Sequence, residues 1–270
     1  MKYKSVFDMH THTFNSPDGN DFAILICEKA FLKGLTAIAL TDHFEIPEIN
    51  EGYYEPALKQ GYYDMIKAKA VYEKEFDVIM GIELGGAIYD VDYAKNLLST
   101  YKFDFVLNSL HGVTGTDYHL TDYTVQDYRP LLTEYFAVLL AQCKLDLFDS
   151  LAHLDYPARY VKLAGIPCDL TQFAEQIDEI LKFLAENGKA LEINTSGLFA
   201  HFRSTLPEYF IIKRFKELGG EFITTGSDAH TSDHIGRGLE DAMELMETAG
   251  FSYVTYYKNR KPIPVRIEKI

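Results

Sequence analysis

Positive charge is what this sequence has least of. Forty aspartates and glutamates face 26 lysines and arginines, a formal net charge of −14, and only seven of the 26 are arginine. So acidic a chain offers no basic track for a phosphate backbone, so nucleic acid and anionic membranes are not expected partners. A small anion held by a few local cations stays open, and the scarce arginines become worth locating. Some of the acids are also expected to serve as metal ligands, whose charge a formal count ignores. Cysteine is scarcer still. Cys27, Cys143 and Cys168 are odd in number and form no CxxC pair, which excludes a disulfide framework and fits reduced, buried thiols in a cytoplasmic protein. Long apolar runs are missing. The longest, near Phe136 to Ala141, falls far below the roughly 20 residues of a membrane span. Met1 to Ser5 runs straight into Val6-Phe7-Asp8, without the apolar segment of a signal peptide.

What is present is a regular alternation. The chain has 270 residues, 47% of them hydrophobic, enough for one sizeable core. Short apolar runs read as strands at Ser5–His12, Ala37–His43, Val78–Gly85, Phe105–His111, Ser150–Asp155, Ala190–Ser196 and Phe222–His230. Each precedes a helical stretch: Phe22–Lys33, Ala57–Phe76, Val91–Tyr101, Asp127–Leu145, Thr171–Asn187, Pro207–Leu218 and Arg237–Ala249. Gly34, Gly188, Gly219 and Gly250 stand where helices need a left-handed residue to stop. Apolar strands alternating with helices predict a parallel sheet covered by helices, either a barrel of seven βα units or a doubly wound open sheet. The tail, Tyr253 to Ile267, reads as a small hairpin. No Ser/Gly-rich linker interrupts residues 1–270, so a single domain is expected.

The chemistry gathers at the strand ends. His10-Thr11-His12 puts two imidazoles on one face of a strand. Strand two ends in Thr41-Asp42-His43, and strand three carries Glu83 inside an apolar run. Strand four leads to His111, strand five to His153, and strand seven to Asp228 and His230. In parallel α/β folds the carboxyl ends of the strands are where sites are built. Burying this many acids and imidazoles without compensation is costly. Shared divalent ions remove the cost, and an N/O ligand set suits zinc, iron or manganese. Satisfied core histidines would account for one or two of these positions, but not for their recurrence on one edge of successive units. His119, His201 and His234 fall in segments after strands four, six and seven, either as surface histidines or as pocket lining.

In this order, His10-x-His12, Ser16-Pro17-Asp18, Thr41-Asp42-His43, Gly81-Ile82-Glu83, His111, His153 and Gly226-Ser227-Asp228-Ala229-His230 resemble the polymerase-and-histidinol-phosphatase (PHP) superfamily. The resemblance spans essentially the whole chain. It implies a distorted seven-stranded (βα)7 barrel with its site at the carboxyl ends of the strands. Length and loops look most like the superfamily's histidinol-phosphate phosphatases, which implies hydrolysis of L-histidinol phosphate in histidine biosynthesis. It also implies two to three divalent ions: the first on His10, His12, Glu83 and Asp228, the second on Glu83, His111 and His153, the third on Asp18, His43 and His230. Some relatives carry His where this chain has Asp18. A water activated between the first two ions would attack phosphorus in line.

A phosphate needs cationic clamps. Arg159 after strand five and Arg203 after strand six lie on the catalytic edge, and both match arginines that hold phosphate in similar histidinol-phosphate phosphatases. Arg237 is a weaker candidate. Asp42 either orients a ligand imidazole or caps a strand end. Tyr118 and His119 are expected to contact substrate. Phe44–Tyr63, with Glu45, Glu48, Glu51 and Glu55, reads either as a lid whose acids suit a cationic amine or as a solvated acidic loop. Competing readings are a nucleotide or oligonucleotide phosphodiesterase, a phosphotyrosine phosphatase, and a non-catalytic metal-binding module.

Overall fold

A computed structural model describes residues 1–46, 52–113 and 116–270. Its centre is a parallel sheet of β1 (Phe7–Asp8), β2 (Ala37–Leu40), β3 (His43–Glu45), β4 (Asp77–Gly85), β5 (Phe105–Ser109), β8 (Ser150–Leu151), β9 (Ala190–Asn194) and β10 (Ile223–Gly226). The order is β1-β2-β4-β5-β8-β9-β10, with β3 also paired to β4, while β6 (Gly112–Val113) and β7 (Thr116–Asp117) pair separately with each other. β2 and β3 share one register on β4, Leu40 opposite Met80 and His43 opposite Glu83, so the expected strand Ala37–His43 exists with a break at Thr41-Asp42. The barrel closes between first and last strands. Met9 donates to the Thr225 carbonyl at 2.8 Å, Asp228 N to His10 O at 2.9 Å, and His12 N to Ala229 O at 2.9 Å. Seven parallel strands in a nearly closed ring settle the barrel over the open sheet.

Helices cover this ring: α1 (Ala23–Leu32), α2 (Tyr54–Tyr72), α3 (Val91–Thr100), α4 (Tyr128–Cys143), α5 (Tyr156–Leu163), α6 (Ala174–Glu186), α7 (Tyr209–Glu217) and α8 (Leu239–Ala249). Their apolar periodicity explains their docking. In α6, Ile177, Ile180, Leu181 and Leu184 form the buried stripe, and in α8 Leu239, Ala242, Met243 and Met246 do the same. Strands buried along their length meet these stripes, β9 against α6 and β10 against α8. Helix α8 stops at Gly250, φ 94°, a conformation that costs a residue with a Cβ. The tail forms the expected hairpin of β11 (Tyr253–Lys258) and β12 (Lys261–Arg266), turning through Asn259 and Arg260 at φ 50° and 62°. Those left-handed angles match the twist of a tight hairpin. Tyr256 stacks on Phe7 with centroids 4.7 Å apart, and Arg260 N donates to Asp104 O. The hairpin therefore covers the end of the ring opposite the site.

Three expectations change. The strands are shorter than their apolar runs: β1, β5, β8 and β10 each stop two residues before His10, His111, His153 and Asp228. The ligand candidates thus sit on the turns that leave the strands. Helix α5 interrupts what reads as loop after strand five, and Arg159 lies on it. Residues Phe44–Tyr63 are not a lid where described. Phe44 and Glu45 belong to β3, and α2 already begins at Tyr54. Glu48 and Glu51 lie outside the described residues. Cys27 and Cys143 are buried as expected, Cys168 is half-exposed, and all three are free. Among the described residues no helix is long and apolar enough to cross a membrane.

Candidate metal centre

Glu83 is the hub. It emerges from the buried second half of β4 and is 0% exposed. Its Oε2 lies 3.2 Å from His10 Nε2, 3.4 Å from His12 Nε2 and 2.8 Å from His43 Nδ1. Its Oε1 lies 3.2 Å from His111 Nε2 and 3.0 Å from His153 Nε2. Asp228 Oδ1 completes the first group at 3.5 Å from His10 Nε2 and 3.3 Å from His12 Nε2. A third group forms at the mouth, with Asp18 Oδ1 3.6 Å from His43 Nε2 and Asp18 Oδ2 2.9 Å from His230 Nε2. The expected ligands are thus brought into one cluster in which Glu83 reaches members of all three sets, and close groups such as His12, His43 and His230 or His10, His153 and Asp228 cut across those sets.

The protonation pattern tests whether these residues fit an ion. His10 Nδ1 donates to Glu192 Oε1 at 2.7 Å, His111 Nδ1 to Glu45 Oε1 at 2.7 Å, and His230 Nδ1 to the Asp228 carbonyl at 2.9 Å. His12 Nδ1 lies 3.1 Å from Ser16 Oγ, whose own proton goes to Asp42 Oδ1 at 3.1 Å, so His12 is the donor there. With Nδ1 protonated on all four rings, each Nε2 points inward and is the atom free to bind an ion once any proton on it has left. His10 Nε2 and His12 Nε2 face each other at 3.0 Å, an approach that a proton on one ring or an ion shared by both accommodates. Ligand atoms about 2.1 Å from a tetrahedral ion stand about 3.4 Å apart, and the observed spacings match that. The residues fit divalent ions.

The electrostatics agree. Burial lowers the His12 pKa well below the usual imidazole range, and nearby His43 and His230 push the same way. Burial opposes ionisation of Glu83 and Asp228. Neighbouring imidazoles outweigh it, His43 and His10 for Glu83, His10 and His12 for Asp228, and hold both carboxyls well below their ordinary values. Burial likewise depresses His111, but Glu45 and Glu83 overcome it and raise the ring to about 9. Bound cations would replace those protons.

The cluster opens into a cleft of about 400 Å³ lined by Asp18, His43, His111, His153, Asp228 and His230, with Glu45, Asp117, His119, Tyr156, Arg159 and Tyr160 on its walls. Arg159 Nη2 donates to Ser196 Oγ at 2.8 Å and meets Asp228 Oδ2 at 3.3 Å. Its buried Nε has no hydrogen-bond partner among the described residues. Arg203 is exposed, holds φ 45°, and is not among the lining residues. Its loop leans on α5 through His201 Nε2 and Lys162 O, 2.8 Å apart. Arg237 is exposed and lies over the Phe199 ring, away from the cleft, as is exposed His234. Asp42 does not touch an imidazole. It accepts from Thr13 N at 2.6 Å and Thr13 Oγ1 at 2.7 Å, and reaches His12 only through Ser16. Tyr118 corrects an expectation outright. It is fully buried, packs edge-on against Tyr135, and cannot meet a ligand. Asp117 and His119 line the cleft, while Tyr118, at the turn that follows the strand ending at Asp117, packs into the core instead.

Two functional residues escape the motif reading. Glu45, read as an acid for a cationic amine, instead holds the His111 ring. Gly85 gives it room, since a Cβ there would run into the Glu45 carboxylate. Glu192 holds His10 from β9, the strand expected to bring no ligand. Its signal was an acid inside an apolar run, as for Glu83. Glu55 is exposed and accepts from Tyr93 OH at 2.7 Å, away from the cleft.

Asp155, just past β8, carries a pH signature. Its Oδ2 accepts the Glu208 amide at 3.1 Å, and buried Oδ1 has no partner among the described residues. Burial raises its pKa to about 7, against a downward pull from Lys162. The fold therefore binds a proton that the unfolded chain has released, and stability is lost as pH rises from about 4 to about 7. Asp155→Asn is expected to be about 2–4 kcal/mol more stable than the parent at pH 8, with the gap closing toward pH 4. Denaturant melts of the chelated protein across that range check this.

A shared ligand hub at the carboxyl ends of a seven-stranded barrel, opening beside an arginine, defines a metal-dependent phosphoesterase class. Residues 8–196 match the PHP domain family, and the chain belongs to it. The probable histidinol-phosphatase of Clostridium acetobutylicum is 32% identical over 262 residues, 94% of this chain and 97% of that one. The probable histidinol-phosphatase of Thermotoga maritima is 33% identical over 254 residues, 92% and 94% of the two chains. The crystal structure of histidinol phosphate phosphatase from Lactococcus lactis, complexed with zinc, L-histidinol and phosphate, aligns with TM-score 0.81 at 25% identity, covering 96% of this chain and 99% of that one.

Proposed function

We propose that this chain hydrolyses L-histidinol phosphate to L-histidinol and phosphate, a step of histidine biosynthesis, with two to three divalent ions of zinc, iron or manganese. The observation that carries the reading is the pairing of the Glu83-centred ligand cluster with Arg159 in one cleft. Bound ions supply Lewis acidity and an activated water. The protein supplies the rest. Glu83 spaces the first two ligand sets, and Asp18, His43 and His230 offer a third beside the phosphoryl group. Arg159 has a spare donor at Nε for a phosphate oxygen and stands next to Asp228, so the clamp and the ligands share one frame. Arg203, on the adjoining loop, is the outer candidate clamp. Asp42 braces His12 at one remove through Ser16.

The leaving-group side suits a cationic imidazole alcohol. Tyr156, Tyr160 and His119 line the cleft, with His119 and Tyr160 edge-on at 5.2 Å. Asp117 is exposed on the same wall and offers a carboxylate to an ammonium group. Asp117→Asn is expected to raise KM for histidinol phosphate about tenfold, a loss of about 1.4 kcal/mol. The same variant should leave a neutral ester such as p-nitrophenyl phosphate nearly unaffected.

The decisive experiment measures phosphate release by protein loaded with zinc or manganese. Histidinol phosphate should be cleaved at least about a hundredfold faster, in kcat/KM, than sugar phosphates, nucleotides or phosphotyrosine. Equal rates across that panel overturn the substrate assignment. Trimming of oligonucleotides at a comparable rate would replace it with a phosphodiesterase.

A further inference from the structure

Strand β9 brings no expected ligand to the site, yet it places a carboxylate at its heart. Glu192 is 1% exposed. Its Oε1 accepts from His10 Nδ1 at 2.7 Å, and its Oε2 accepts from the His153 backbone amide at 2.8 Å and from Asn194 Nδ2 at 3.3 Å. Three donors converge, so only a group without protons of its own satisfies all of them. The neighbouring strand is hollowed to admit it. A Cβ at Gly226 would run into Glu192 Oε1 and the His10 Cβ.

The two residues it holds belong to different expected ligand sets, and both also stand close to Asp228. His10 stands with His12 and Asp228, His153 with His111, and Glu83 joins the sets through opposite oxygens. We propose that Glu192 is a positioning residue that registers the two halves of the metal centre. One oxygen fixes the His10 ring through Nδ1, and the other fixes the backbone that presents His153, so both Nε2 atoms meet Glu83. This inference rests on the metal-centre reading above.

The carboxylate also sets the His10 tautomer. With Nδ1 protonated toward Glu192, Nε2 must offer its lone pair to the centre. A glutamine has the same length but fails either way round. With its amide nitrogen toward His10, the imidazole proton moves to Nε2 and blocks the ligand position. With its amide nitrogen toward His153, donor faces donor.

The test is zinc affinity, measured by equilibrium against zinc buffers, beside thermal melting and circular dichroism. Glu192→Gln is expected to fold and to bind zinc about 10–100-fold more weakly. Glu192→Asp keeps an acceptor-only group and should fall between parent and glutamine, although glutamine is nearer in size. A merely structural role would lower the melting temperature, leave zinc affinity unchanged, and favour glutamine over aspartate. Parental zinc affinity in Glu192→Gln, or glutamine binding more tightly than aspartate, overturns the inference. Should Glu192→Gln fail to fold, Glu192→Asp decides: weakened zinc binding supports the role and parental affinity refutes it. A parent chain that binds no zinc overturns the metal-centre reading itself, a separate outcome.

Discussion

Glu83→Gln is expected to reduce kcat/KM by about 10⁴-fold, roughly 5.5 kcal/mol of barrier at 1.36 kcal/mol per decade. Among the described residues no other stands in so many of the close pairs of the cluster. One carboxylate oxygen meets His10, His12 and His43, and the other meets His111 and His153. Glutamine keeps the shape and one acceptor, but turns an amide donor toward one of the two groups. That group must then lose its ion or its lone pairs. The variant should therefore also lose at least one ion per chain, read by elemental analysis, while far-ultraviolet dichroism stays that of the parent. A fully metallated, active Glu83→Gln would refute the bridging role.

Arg159→Ala is expected to cost about 10²–10³ in kcat/KM, the scale for removing a charge-assisted donor from a transition state. The argument rests on placement. Arg159 is held by Ser196 and Asp228 through Nη2, while its Nε is buried and unpartnered among the described residues. An unsatisfied buried donor is costly without a ligand, and a phosphoryl oxygen would satisfy it. Arg159→Lys should recover little, because an ammonium cannot span Ser196, Asp228 and a phosphate at once. Arg203→Ala, on an exposed loop, should cost less than about tenfold. Steady-state kinetics of the three variants check the order, and an Arg203 effect larger than that of Arg159 would reverse the assignment.

Ligands and barrel were legible for one reason. An ionisable residue in or just beyond an apolar strand run stands out, and its recurrence at successive strand ends implies a common edge. His10, His12, Glu83, His111, His153 and Asp228 all carry that signature. Glu192 carries it too, in Ala190-Leu191-Glu192-Ile193, but that it holds His10 and the His153 amide depends on contacts made only in the fold. Helix α5 was hidden because eight residues opening on Tyr156-Pro157 are too short to display a helical period. Tyr118 and Asp117 are adjacent in sequence, and which of them turns inward depends on how the turn after β7 (Thr116–Asp117, paired with β6, Gly112–Val113) packs. Arg159 and Arg203 look equivalent as residues following strands. Only the packing separates a buried guanidinium from an exposed one.

The seam between the first and last strands gives the centre a history. His10 and His12 precede Asp228 and His230 by more than two hundred positions. No nascent chain lacking β10 can assemble the first ligand set, so metal capture follows synthesis of nearly the whole barrel. Once seated, an ion joined to both sides acts as a rivet across the seam. Such an ion would oppose opening of the Met9–Thr225 and Asp228–His10 pairings. Amide exchange at Met9 and Asp228 should therefore be slower in the metal-loaded protein than in the chelated one.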